Sequence, residues 1–204
     1  MLNIAVFASG RGTNFQSIID AVKNGEIAAE IKVLISDNQD AGALKRAERE
    51  DVENIHIDPD HFENSEKYEK EIIKILEAAG VELVVLAGYM RILSPYFVKR
   101  YKNKVINIHP SLLPAFKGLD AQKQAVEYGV KYSGCTVHFV DQGMDTGPII
   151  KQAVVAVEAD DSAEDLAARI LNEEHRIYPE TIKLIAEKRV QVNGRKVRIL
   201  KEEN

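Results

Sequence analysis

The chain holds one cysteine, Cys135. No disulfide can therefore close within it, and a reducing, cytoplasmic setting is expected. Cys135 lies in Gly134-Cys135-Thr136-Val137-His138-Phe139-Val140, which reads as a strand. A buried small hydrophobe suits that place better than a nucleophile. No apolar run approaches the roughly 20 residues that span a bilayer, and no basic-then-apolar opening suggests a secretory signal. Excess basic charge is lacking too: 27 Lys and Arg stand against 32 Asp and Glu, a formal net charge of -5. Binding nucleic acid through its phosphates wants clustered Lys and Arg. Neither nucleic acid nor membrane is therefore expected as a partner, although a local pocket for one phosphate is still possible. HExxH, CxxC and any three-ligand cluster are absent, so no metal is expected. His56 and His61 show no ligand spacing. Repeats, low-complexity tracts and separating linkers are missing as well.

What is present is a globular chain of 204 residues, 45% hydrophobic, long enough to bury a substantial core. It reads as one domain over 1–204, with an N-terminal half of about 1–100 and a C-terminal half of about 101–204. Strands are expected over Leu2–Ala8, Ile31–Ser36, Asn54–Ile57 and Leu83–Ala87. Helices are expected over Thr13–Lys23, Ala41–Glu50 and Glu66–Ala79, the last with a stripe of Tyr68, Ile72, Ile75 and Leu76. Thr13 and Gln16 have capping-box spacing, and Ser94-Pro95 reads as an N-cap and first helical residue. This alternation predicts an α/β fold: a mostly parallel twisted sheet, helices on both faces, Rossmann-like in its first half. The second half predicts a strand ending at Asn107 and His109, a helix over Ala121–Tyr128, and strands over Ser133–Val140 and Pro148–Val157 that pair antiparallel. A helix over Ala163–Glu187 follows, with a Ser162/Asp165 capping box and a kink or break at Pro179. Val190–Ile199 reads as a hairpin turning at Asn193-Gly194.

Two segments carry chemistry. Ser9-Gly10-Arg11-Gly12-Thr13-Asn14 joins the first strand to the first helix. Its glycines let backbone N–H groups approach a ligand, and a helix N-terminus favours an anion. A phosphate suits it, and so does a plain tight turn. Phe15 replaces the third glycine of a dinucleotide fingerprint, and the Walker A pattern is absent. Asp37 reads as a strand-end turn residue. The second segment is Asn107-Ile108-His109-Pro110. Residues two apart on a strand share a face, so an amide and an imidazole project together. They form a plausible oxyanion-stabilising pair, which a carboxylate such as Asp145, in Asp145-Thr146-Gly147-Pro148, can orient. These groups are expected along the carboxyl edge of a parallel sheet, where ligands of open α/β folds bind. Met90, Ile92 and Leu93 fit either an apolar wall or ordinary core. Arg91 fits a carboxylate partner or the surface, and His138 a cleft lining or a satisfied core histidine.

Ser9-Gly10-x-Gly12-Thr13-Asn14, Ala87-Gly88-Tyr89-Met90-Arg91-Ile92-Leu93, Asn107-Ile108-His109-Pro110-Ser111-Leu112-Leu113-Pro114 and Asp145-x-Gly147-Pro148 together resemble the phosphoribosylglycinamide formyltransferase family. These are folate-dependent members of the formyltransferase superfamily. The resemblance runs over essentially the whole chain, including Glu174-His175-Arg176-Ile177-Tyr178-Pro179. It implies transfer of a formyl group from 10-formyltetrahydrofolate, as cosubstrate, to the amine of glycinamide ribonucleotide in purine (IMP) biosynthesis. It implies that Asn107, His109 and Asp145 are catalytic, and that Gly12, Thr13, Asn14 and Glu174 bind substrate. Met90, Arg91, Ile92, Leu93, Val140 and Asp141 would contact the folate. A monomer or homodimer with small-molecule substrates is expected. Ser65, Leu171 and Asp120 depart from residues common in the family. Methionyl-tRNA formyltransferase and formyltetrahydrofolate hydrolase share the Asn-x-His core but are expected to carry a further domain. A non-catalytic phosphate-binding module would leave Asn107, His109 and Asp145 unexplained.

Overall fold

The structure, a computed structural model, describes residues 1–201 of the chain. The chain folds as two compact units, Met1–Asn107 and Ile108 onward.

The first unit contains strands β1 (Leu2–Phe7), β2 (Ala29–Ser36), β3 (Asn54–His56) and β4 (Leu83–Leu86) and the start of β5 (Val105–His109). They lie in the order β3-β2-β1-β4-β5, every pair parallel. The central stretches Ile4–Phe7, Val33–Ile35 and Leu83–Leu86 are continuous apolar runs because both faces are covered there: Ile4, Val6, Phe7, Val33, Leu34, Val84, Val85 and Ile106 have no exposed surface. Helix α1 (Thr13–Lys23) buries Phe15, Ile18 and Ile19. Helices α2 (Gly42–Arg49), α3 (Ser65–Ala78) and α4 (Pro95–Arg100) complete the unit. Two readings change here. The Thr13/Gln16 capping box is absent: Gly12 is the N-cap, in a left-handed conformation with φ 71 and no side-chain cap. Thr13 is thus already the first helical residue and cannot reach a third-residue amide. The buried side of α3 is Tyr68, Glu69, Ile72, Ile73 and Leu76, while Ile75 is only half-buried. Ser94 caps α4, accepting from Phe97 N, with Pro95 in the first turn.

The second unit contains α5 (Ala121–Tyr128), β6 (Tyr132–Phe139), β7 (Ile149–Ala156) and α6 (Ala163–Ala186). A terminal hairpin follows, β8 (Val190–Asn193) and β9 (Lys196–Ile199). Strands β6 and β7 are antiparallel; their register runs from Tyr132↔Ala156 to Val137↔Lys151, then shifts to His138↔Ile149. Such a shift re-aims side chains locally, and it falls at His138. The hairpin pairs Asn193 with Lys196, so its two-residue turn is Gly194-Arg195, one residue later than expected, with Gly194 supplying φ 59. Pro179 does not break α6, which continues through it to Ala186. An interior proline costs about 3 kcal/mol. Burial of Leu166, Ile170, Ile177, Tyr178 and Ile182, at roughly 1.5–3 kcal/mol for each large apolar side chain, outweighs that cost. No helix among the described residues is long and apolar enough to cross a membrane.

The α/β class, parallel in the first unit and antiparallel in the second, is the one expected. The Ser162/Asp165 capping box is also present: Ser162 Oγ accepts from Asp165 N at 3.1 Å, and Asp165 Oδ2 accepts from Ser162 N at 3.0 Å. Ser162→Ala should therefore cost about 1 kcal/mol, a Tm lower by about 2–4 °C, with turnover unchanged. Thermal melts of the two proteins check this, and an unaltered Tm would show that the cap contributes nothing.

Candidate active site

In the second unit, the His109 ring at the end of β5 is 5% exposed. Its Nε2 donates to the Phe116 carbonyl at 2.8 Å, and its Nδ1 lies 3.4 Å from Asp145 Oδ2. A carbonyl only accepts, so Nε2 carries a proton, and Nδ1 is the nitrogen that faces the carboxylate. Asp145 Oδ2 also accepts from Gly118 N at 2.9 Å. Its other oxygen, Oδ1, lies 3.7 Å from His138 Nε2. His138 in turn donates from Nδ1 to its neighbour's carbonyl, Phe139 O, at 2.9 Å. One carboxylate is thus set between two imidazoles, and each imidazole is anchored through its far nitrogen.

Local backbone makes this possible. Asp145 has φ 51 and Phe116 has φ 48, left-handed conformations that cost an L-residue about 1–2 kcal/mol each. Phe116 thereby presents its carbonyl to His109. The loop from Ser111 to Ala115 is knitted by Thr136, a fully buried β6 residue. Its hydroxyl donates to Ser111 O (2.7 Å) and accepts from Leu113 N (3.1 Å) and Gln152 Nε2 (2.9 Å). One donor and two acceptor sites are all a hydroxyl has, and all three are used. The Asp145 loop is just as closely held. Asp141 Oδ1 accepts from Gly143 N (3.1 Å) and Thr146 Oγ1 (2.6 Å), and Arg195 of the terminal hairpin donates to Thr146 O at 2.7 Å. A Cβ on Gly143 would come within 2.1 Å of Thr146 Oγ1, and one on Gly147 within 1.7 Å of Phe139 O. These glycines serve close approach.

Asn107 stands two residues before His109 on β5 and is half-buried, while Ile108 between them is buried. Val140 is half-buried just beyond β6, and Glu174 is buried on α6. Cys135 is buried, which pushes its thiol up to about 12, so it has no nucleophilic character. Asp161 holds Arg169 through both carboxylate oxygens at 2.7 and 2.9 Å, a helix-start pair.

In the first unit, Gly12 needs to be glycine for packing alone: a Cβ there would lie 2.8 Å from Ala43 Cα and Cβ. The loop carbonyls are bound to α2, with Gly10 O accepting from Ala43 N (3.1 Å) and Arg11 O from Arg46 Nε (2.9 Å). The first-turn N–H groups of α1, where Thr13 and Asn14 lie half-buried, have no helical acceptor and form the positive end of the helix. In the segment after β4 the apolar residues separate. Leu93 is core at 7% exposure, whereas Met90 and Ile92 are 68% and 73% exposed. Arg91 stacks over the Tyr68 ring at 5.4 Å. Ser65 is the first residue of α3, Asp120 the left-handed N-cap of α5, and Leu171 half-buried on α6.

Sequence reasoning under-weighted His138 and missed Thr136, Gln152 and the Phe116 carbonyl. A His two residues after a Thr on an apolar strand was the available signal for His138; main-chain acceptors leave none. Burial holds His138 below its ordinary value near 6.5. The unfolded chain then binds a proton that the folded chain refuses, so this contribution to stability is full above about pH 6.5 and is lost as pH falls toward the folded-state value. His138→Asn keeps a donor for Phe139 O. It should lose less stability than the native chain between pH 8 and pH 5 in urea titrations; equal losses would show that His138 does not titrate this way.

Three comparisons bear on this arrangement. The formyl transferase family matches residues 2–182. The chain is 44% identical over 183 residues to the phosphoribosylglycinamide formyltransferase of Bacillus subtilis (strain 168), covering 90% of this chain and 94% of that one. It is 42% identical over 192 residues to the enzyme of the same name from Escherichia coli (strain K12), covering 94% and 91%. Among solved structures, glycinamide ribonucleotide transformylase 1 from Symbiobacterium toebii superposes with a TM-score of 0.97 at 51% identity, covering 98% of this chain and 95% of that one.

Proposed function

Because the chain belongs to the formyl transferase family, we propose that it is a phosphoribosylglycinamide formyltransferase, a single domain over its 204 residues working in the cytoplasm. On this reading it moves the formyl group of 10-formyltetrahydrofolate to the amine of glycinamide ribonucleotide in purine biosynthesis. The observation that carries the reading is the Asp145 carboxylate set 3.4 Å from the His109 ring, in a chain over 40% identical to enzymes of that name along most of its length.

The chemistry follows from the groups. The amine nitrogen attacks the formyl carbon, and the carbonyl oxygen gains charge. The C–N bond to the folate then breaks, and one proton passes from the amine to the leaving nitrogen. Asn107 supplies an amide donor for the charged oxygen, a role typically worth about 3–4 kcal/mol of barrier. A proton held between His109 Nδ1 and Asp145 Oδ2 serves the same oxygen or the amine-to-folate transfer. Positioned proton transfer contributes roughly 10²–10⁴-fold. Gly12, Thr13 and Asn14 offer first-turn amides to the substrate phosphate, and Glu174 a carboxylate to the substrate. Exposed Met90 and Ile92, with Arg91, Leu93, Val140 and Asp141, serve the folate. Direct transfer to the amine needs no serine or cysteine nucleophile from the protein, in keeping with the inert Cys135.

Purified protein with 10-formyltetrahydrofolate and glycinamide ribonucleotide should form the formylated ribonucleotide without ATP or added metal. Formate release that ignores the amine would instead identify a hydrolase. Asp145→Asn retains an oxygen for Gly118 N and tolerates positive φ, so it should fold normally and lose at least about 10²-fold in kcat. His109→Ala should lose at least as much. Near-native turnover in either variant refutes the assignment.

A further inference from the structure

Ser9, the residue that opens the glycine loop, is 9% exposed, and every polar group it owns is engaged. Its Oγ donates to Asp37 Oδ1 at 2.6 Å and accepts from Met90 N at 2.9 Å. Its N–H donates to Gly88 O at 3.0 Å, and its carbonyl accepts from Asn38 Nδ2 at 3.1 Å. One residue therefore binds the loops that follow β1, β2 and β4. Asp37 fixes the direction of the hydroxyl proton, which leaves an oxygen lone pair aimed at Met90 N. The residue before Met90 is pinned too, by the Tyr68–Tyr89 hydroxyl pair at 2.8 Å. Ser94 also donates from N (2.6 Å) and Oγ to the Glu69 carboxylate. Against that fixed backbone the side chains of Met90 and Ile92 stand exposed.

We propose that Ser9 is a positioning residue that makes binding at the glycine loop and binding at the Met90–Leu93 segment depend on one another, with Asp37 setting its hydroxyl. The proposal rests on the assignment of a phosphate to the first loop and a folate to the second. A ligand that draws the first-turn amides of α1 inward loads the Ser9 backbone, and the same residue holds Met90 N. Coupling of this kind is reciprocal by thermodynamic necessity. Neither Ser9 nor Asp37 touches a reacting atom in this scheme.

Calorimetric titration tests it. Glycinamide ribonucleotide is titrated with and without saturating 5-formyltetrahydrofolate, a folate that donates no formyl group here, and the folate is titrated with and without the ribonucleotide. In the native chain each ligand should tighten the other by about 5-fold or more. In Ser9→Ala the mutual effect should fall below about 2-fold, while circular dichroism at the titration temperature remains native. Asp37→Ala should reduce the coupling in the same direction. The double variant should be no worse than Ser9→Ala, and Asp37→Asn, which keeps an acceptor oxygen, should restore most of it. Native-like coupling in Ser9→Ala overturns the proposal, as do additive effects in the double variant. Should Ser9→Ala fail to fold, Asp37→Ala decides: full coupling there overturns it equally. A native chain that binds neither ligand removes the parent function. One that binds both without mutual effect removes this inference alone.

Discussion

The contact between Asp145 and two histidines is the constraint from which the second unit can be read. A carboxylate at 3.4 Å from one ring and 3.7 Å from another keeps its place only if each ring is prevented from turning. Carbonyls do that work here. Phe116 O fixes His109, Phe139 O fixes His138, and Gly118 N holds the carboxylate itself. With each far nitrogen donating to a carbonyl, the near nitrogens are the ones that face the carboxylate. The cluster therefore gathers two imidazoles and one carboxylate, groups that each can take up or release a proton. That property suits a reaction in which one proton leaves an amine and another nitrogen receives it.

Backbone strain is present at the same cluster, as it is at Asp51, Asn103 and Lys188 elsewhere. Phe116, Asp120 and Asp145 adopt positive φ without being glycine, and two of them contribute directly, one a carbonyl and the other a carboxylate. Such conformations persist only where the surroundings over-determine them. Thr136 and Gln152 supply that on the side of the Ser111–Ala115 loop. Asp141, Thr146 and Arg195 supply it on the other. The β6–β7 register shift at Val137/His138 falls beside these residues, so an irregularity in the ladder and an irregularity in the loops meet at one histidine.

Much of this was legible beforehand, and the exceptions have physical causes. Apolar runs such as Val84-Val85 and the Ser162/Asp165 pair declare their elements because the signal is local. The Asn107-Ile108-His109 alternation placed Ile108 in the core for the same reason. Thr136 was silent because its role is to fill its hydrogen-bonding capacity with groups 16 to 25 positions away. Gly12 misled in the other direction. Its left-handed φ and the nearby Ala43 backbone require glycine whatever the loop binds, so the glycine is weaker evidence for a phosphate than its motif suggests. Met90, Ile92 and Leu93 look alike in sequence yet divide between surface and core, because the irregular backbone after β4 has no period from which to count faces. Pro179 failed as a breaker since burial on both sides of it exceeded the cost of one lost hydrogen bond.

The terminal hairpin lies outside the residues matched by the formyl transferase family, which end at 182. Yet Arg195 at its turn grips the carbonyl of Thr146, the neighbour of Asp145. The appendage is thus wired to the acidic loop. A displacement of the hairpin turn is therefore passed through one guanidinium to the backbone beside Asp145, which places the two segments mechanically in series.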